Sequence, residues 1–116
     1  LESKELAGNI ISMLARSDRM AIFSAVTALG NKRADVLKRL AALQEAIRDL
    51  IFLKKSDDVE LCFFEDRESA SELATHFTAP SLFALYDAST IARAELSAGS
   101  NVRLSLMNMM QRAKLI

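Results

Sequence analysis

Glycine, proline and cysteine are scarce in this chain. Three glycines and one proline in 116 residues leave few places for sharp turns, which argues against an all-β fold and for helices joined by short links. Cys62 is the only cysteine, so no intrachain disulfide and no cysteine-based metal site can form in the monomer. That usage fits a reducing compartment. Histidine occurs once, as His76. A histidine metal site needs several convergent ligands, so His76, beside Phe77, is read as a surface or capping residue at a helix end.

Other absences narrow the function classes. No apolar run approaches the ~20 residues needed to cross a bilayer, and no basic leader followed by an apolar stretch marks a signal peptide. A cytoplasmic protein without a membrane partner is the expectation. Fifteen basic residues balance fifteen acidic ones, so the chain lacks the electrostatic footprint of an autonomous nucleic-acid binder. Its most basic stretch, Lys32-Arg33 to Lys38-Arg39, is read as the solvated face of an amphipathic helix. The glycines are too far apart for a phosphate-cradling loop, and neither the P-loop nor the dinucleotide pattern occurs.

What the chain has in quantity is apolar side chains at helical spacing. Hydrophobic residues make up 51% and charged residues 26%, enough for one domain with its own core. The strongest pattern covers residues 32–55, where Val36, Leu40, Leu43, Ile47 and Leu50 recur at alternating four- and three-residue steps. That is the seam of a helix meeting other helices. Residues 3–16 form a first helix with Leu6, Ile10, Met13 and Leu14 on its stripe. Ser17 or Asp18 caps a second, carrying Met20, Ile22, Phe23, Val26 and Leu29. Gly30 ends it and Asn31 caps the long third helix, on which Asp35 and Arg39 stand in the favourable i,i+4 order.

The stretch Ser56-Asp57-Asp58 breaks the pattern, and residues 59–64 read as an extended connector whose aromatics plug the bundle, with Cys62 as a small buried hydrophobe. Asp66 caps a short fourth helix over 67–77. Thr78-Ala79-Pro80 starts a fifth, with Leu82, Leu85, Tyr86 and Leu96 on its stripe, Ile91 flanking and Gly99 closing it. Ser100-Asn101 is a cap-like pair before a last helix, 102–113. The expected fold is all-α: a single helical bundle of about five or six helices spanning residues 1–116.

The catalytic patterns fall short. The paired carboxylates Asp57-Asp58 and Glu65-Asp66 lie at helix ends, where dipole and capping explain them. The alternating oxygen ligands and central glycine of a calcium loop are absent. A Ser-His-Asp set assembled from abundant serines and aspartates has no meaning without geometry. No catalytic residue, cofactor, metal or small-molecule substrate is therefore assigned. Two features remain. Met107, Met109 and Met110 give the last helix an adaptable surface; one or two of them should face inward, and Met109 is the interface candidate. Arg48-Asp49 sits amid Ile47, Leu50, Ile51 and Leu53. Either both residues lie at the edge of the seam, with Arg48 paired to Glu45, or they form a partly buried ion pair that holds the long helix to a neighbour. On these residues alone a helical regulatory or adaptor module is a standing alternative, and a small helical enzyme a weaker one.

Two segments together resemble a known family. Ala46-Ile47-Arg48-Asp49-Leu50-Ile51-Phe52-Leu53-Lys54 resembles the "RDLL…K" helix of the delta-prime subunits of bacterial DNA polymerase III clamp loaders. Asn101-Val102-Arg103-Leu104-Ser105-Leu106-Met107-Asn108-Met109-Met110 resembles the "N-x-R-L-x-L-E-x-L-L" helix near the C-terminus of those subunits. The order, the spacing and the intervening segment from Asp66 to Leu73-Ala74 also fit. The resemblance implies a C-terminal collar domain, a fragment whose parent carries an N-terminal AAA+ module. Such a domain is a non-catalytic assembly unit of the polymerase holoenzyme. It packs with gamma/tau-like and delta-like subunits into a ring that lets the assembly load a sliding clamp on primed DNA, with DNA met only indirectly. The residues it singles out as structural or interface candidates are Arg48, Asp49, Asn101, Arg103, Leu104 and Met109.

Overall fold

A computed structural model describes residues 2–16, 18–56 and 58–116. Leu1, Ser17 (the alternative cap of the second helix) and Asp57 (half of a carboxylate pair) lie outside the described residues. The described secondary structure is all helical: α1 (Glu2–Ala15), α2 (Arg19–Leu29), α3 (Arg33–Leu53), α4 (Arg67–Ala74), α5 (Ala79–Ser97) and α6 (Val102–Arg112). The long α3 is the centre, with α1 and α5 against it; α2 lies on α1, α4 on α3 and α6 on α5. Among the described residues no helix is long and apolar enough to cross a membrane.

Local chemistry accounts for the helix ends. Asp18 accepts from the Ala21 N–H at 2.7 Å and caps α2. Asp66 caps α4 by accepting from the Glu68 N–H. Thr78 and Ser81 form a reciprocal capping box at α5, with Pro80 in the first turn where its missing N–H costs nothing. Asn101 caps α6 through the Leu104 N–H at 2.9 Å. Gly30 and Gly99 take φ of +92° and +96° as they close α2 and α5, a region that a Cβ disfavours. At α5 the Gly99 N–H returns to the Leu96 carbonyl and the Ser100 N–H to that of Glu95, the paired bonds of a Schellman ending.

The seam of α3 is buried as expected: Val36, Leu40, Leu43, Ile47 and Leu50 have no exposure at all. Other expectations need correction. Asn31 does not cap α3. Lys32 holds the cap position without a side-chain bond. Asp35 does not hold Arg39, whose Nη1 donates to the Leu29 carbonyl at 2.8 Å, at the end of α2. Arg33 likewise donates to the Leu96 and Ser100 carbonyls at the end of α5. The basic stretch is thus only half solvated face: Lys32 and Lys38 are exposed, and the two arginines complement the negative ends of neighbouring helices.

Phase decides the other differences. In α2 the buried set is Ala21, Ile22, Ala25, Val26 and Leu29, so Met20 and Phe23 fall on the outer side, 78% and 46% exposed. In α5 Leu82, Leu85, Ala88, Ser89, Ala92 and Leu96 face inward, which leaves Tyr86 off the stripe. The fourth helix stops at Ala74, three residues early, because the Thr75, His76 and Phe77 N–H groups each reach back only three residues and tighten the last turn before Thr78 caps α5. His76 is exposed.

Candidate functional site

The charged pair in α3 organises the connector between α3 and α4. Asp49 lies on the buried side of α3 and has no solvent exposure. Its Oδ1 accepts from the Cys62 N–H at 3.0 Å, and its Oδ2 from the Phe63 and Phe64 N–H groups at 2.7 and 3.0 Å. The Cys62 thiol adds a longer contact to Oδ1 at 3.4 Å. Arg48 Nη1 donates to Oδ1 at 2.9 Å and also stands 3.2 Å from the Cys62 sulfur. A segment with no helix or strand of its own thus places three consecutive backbone donors on one carboxylate, which settles where its buried N–H groups go. Phe63 is buried beneath this tie and meets Phe64 edge to face, centroids 4.9 Å apart. The Val59 carbonyl accepts from Arg67 at the start of α4.

Electrostatics follow from that geometry. Burial pushes the Asp49 carboxyl pKa up, but the N–H donors of Cys62, Phe64 and Phe63, with the Cys62 thiol, outweigh it and hold the group below its ordinary value. Asp49 is therefore an ionised acceptor whose oxygens are already engaged, an anchor rather than a proton shuttle. The Cys62 thiol is pushed the other way, first by partial burial and then by the Asp49 hydrogen bond and charge, against a smaller opposing effect from Arg48. A raised thiol is a poor nucleophile. Cys62 is also exposed rather than the buried small hydrophobe expected, because Phe63 takes the inward place. Arg48 joins Asp49 rather than Glu45. Its side chain is 43% exposed against 0% for Asp49, and its guanidinium lies 4.5 Å above the Phe52 ring. The pair acts within the bundle, tying α3 to the connector.

The α6 candidates separate by face. Asn101 is the cap. Arg103 and Leu104 point outward, Leu104 with 61% exposure. Met109, the interface candidate, is wholly buried. Ser105, Leu106, Met109 and Met110 form the inner stripe of α6, and α6 meets α5 along it, so Met109 fills core. Met107 is half-buried. The structure brings Arg48 and Asp49 together and leaves the α6 residues as a cap, two exposed side chains and a core methionine.

Sequence reasoning missed a second polar feature, between α3 and α5. Gln44 is buried one residue past the seam. Its Nε2 donates to Thr90 Oγ1 at 2.8 Å and to the Tyr86 carbonyl at 3.3 Å, and its Oε1 accepts from Arg93 at 2.6 Å. The signal was a glutamine next to Leu43 in an otherwise apolar seam. Shallow grooves run on from this bridge along both helices, past Arg48 and Tyr86 to Phe52 and Phe83. Among the described residues no group of three or more histidine, cysteine, aspartate or glutamate side chains is placed to hold a metal ion. Compared with known proteins, the chain matches no family model, no curated protein and no solved structure.

Proposed function

We propose that this chain is a subunit-assembly domain of a bacterial replication clamp loader, of the delta-prime collar type, working in the cytoplasm as part of the polymerase holoenzyme. The observation that carries the reading is the resemblance of two separated segments, one in α3 and one in α6. Their most distinctive residues are spent on architecture: Asp49 anchors the connector and Asn101 caps α6. Met20, Phe23, Phe83 and Leu104 stand outward on α2, α5 and α6, apolar side chains that contacts with other subunits would bury. In this reading the nucleotide chemistry belongs to an AAA+ module N-terminal to the domain and to neighbouring subunits, and the domain acts on DNA only through the assembly.

The test is co-purification with gamma/tau-like and delta-like subunits. The chain should enter the complex or, in excess, displace its full-length counterpart from it. A chain that neither joins nor competes overturns the proposal, as does ATP hydrolysis by the chain alone.

A further inference from the structure

The groove between α3 and α5 has a chemistry that specifies an occupant. The helices run antiparallel there: Arg33 near the start of α3 meets the end of α5, and Phe52 near the end of α3 lies with Phe83 near the start of α5. Leu37, Gln44 and Phe52 contribute from α3; Phe83, Tyr86 and Arg93 contribute from α5. From Leu37 to Phe52 the groove is roughly 22 Å long at 1.5 Å per residue, about four helical turns. Its apolar end is built of Phe52, Phe83 and Tyr86, which are 37%, 46% and 37% exposed. Side chains of that size left half in water are an unfinished contact.

Charge distinguishes among the occupants. Arg48 lies over the Phe52 ring, Lys55 stands 6.0 Å from the Phe83 centroid, and Arg93 closes the bridge on Gln44. Glu45 also lines the groove, and Asp49 balances Arg48 from beneath the surface. In a chain with no net charge, this is a local excess of cations around an aromatic floor. A second copy packed on the same groove would set one cationic face against another, which is unfavourable. A single-stranded nucleic acid needs cations enough to hold a phosphate backbone, and a chain with no net charge favours a protein occupant.

We infer that the α3–α5 groove docks an amphipathic helix of about four turns from a partner protein, its aliphatic stripe set on Phe52, Phe83 and Tyr86 and its flanking carboxylates on Arg48, Lys55 and Arg93. The inference goes beyond the assembly reading by naming the face that is covered and the chemistry that covers it.

Two 15-residue peptides with the same leucine stripe, one flanked by glutamates and one by lysines, are titrated into the 15N-labelled chain, with a 15-mer oligothymidylate and a dilution series as companions. The glutamate peptide should shift amides in residues 37–52 and 83–97 and bind at least ~10-fold more tightly than the lysine peptide. Phe83→Ala should weaken it by roughly 10-fold or more, and Lys55→Glu should narrow or reverse the charge preference, with far-UV circular dichroism unchanged in both. Equal binding of the two peptides, shifts confined to other helices, or no shifts overturn the inference. So do oligothymidylate binding in the groove and a concentration-dependent dimer that Phe83→Ala abolishes. Groove failure with intact co-purification leaves the assembly reading standing, and failed co-purification with groove binding leaves the groove.

Discussion

A carboxylate sealed from solvent inside a helical bundle is expensive unless every oxygen is occupied, and Asp49 meets that condition with backbone donors from residues 62, 63 and 64. Asp49→Ala would strand those donors and free Arg48 from its partner, at a cost of about 3–5 kcal/mol. We expect Tm to fall by roughly 10–20 °C, whereas Asp58→Ala, at an exposed position, should leave it nearly unchanged. Equal melting temperatures would return the pair to the edge of the seam. The pH dependence has a definite sign. Because the Asp49 pKa is lowered by folding, its contribution is complete above the unfolded carboxylate value near ~3.9 and is lost as pH falls through the folded value. Urea midpoints should therefore hold steady from neutrality to about pH 5 and drop below that, and the drop should be shallower in Asp49→Ala. That Arg48-Asp49 was unusual was legible in the sequence, since a charged pair inside an apolar seam demands partners. The partners were not, because the donors are main-chain groups, which every residue but proline carries.

At the scale of the element, two glycines in this short supply do opposite things. Gly30 sits at φ +92°, and a Cβ there would lie 2.6 Å from Arg39 Nη1, the group that holds the end of α2. Gly30→Ala should strain the turn, displace Arg39 and cost about 1–3 kcal/mol. Gly8 lies inside α1, and a Cβ added there would meet nothing within 4 Å, so Gly8→Ala should stabilise by ~0.5–1 kcal/mol. Chemical denaturation of both variants checks the pair, and the same sign in both would contradict it. Most starts and stops that capping residues and glycine mark in the sequence correspond to real helix ends: Asp18, Gly30, Asp66, Thr78, Gly99 and Asn101. Asn31 does not, because a cap needs its oxygen over the first turn, and the helix begins one residue later than that would require.

Across the whole molecule, one hydrophobic core runs through all six helices, α4 through Ala74, and takes in Phe63 and Phe77 from the links. The chain therefore presents its outward apolar residues from a rigid support. In the assembly reading that predicts dominant interference: excess isolated chain should lower the yield of assembled clamp loader, measured by size-exclusion chromatography of the reconstituted subunits. Phe83→Ala should interfere less if the α3–α5 groove is one of the faces used. An undiminished yield at high excess would count against an assembly role.

The all-helical class, the approximate bounds of six helices and the seam of α3 follow from the order of residues alone, because spacing and capping are local properties of a chain with few turn-forming residues. Which outward positions stay in water does not follow from it. Met109 reads as an interface residue and is core; Tyr86 reads as a stripe residue and Met20 as one of the apolar residues of α2, and both are exposed. A helix with apolar residues on more than one side has several admissible faces, and only the neighbours chosen in three dimensions select among them. The Asp49 tie and the Gln44–Thr90–Arg93 bridge belong wholly to the folded arrangement, since each joins groups 13 to 49 residues apart whose approach no local pattern encodes.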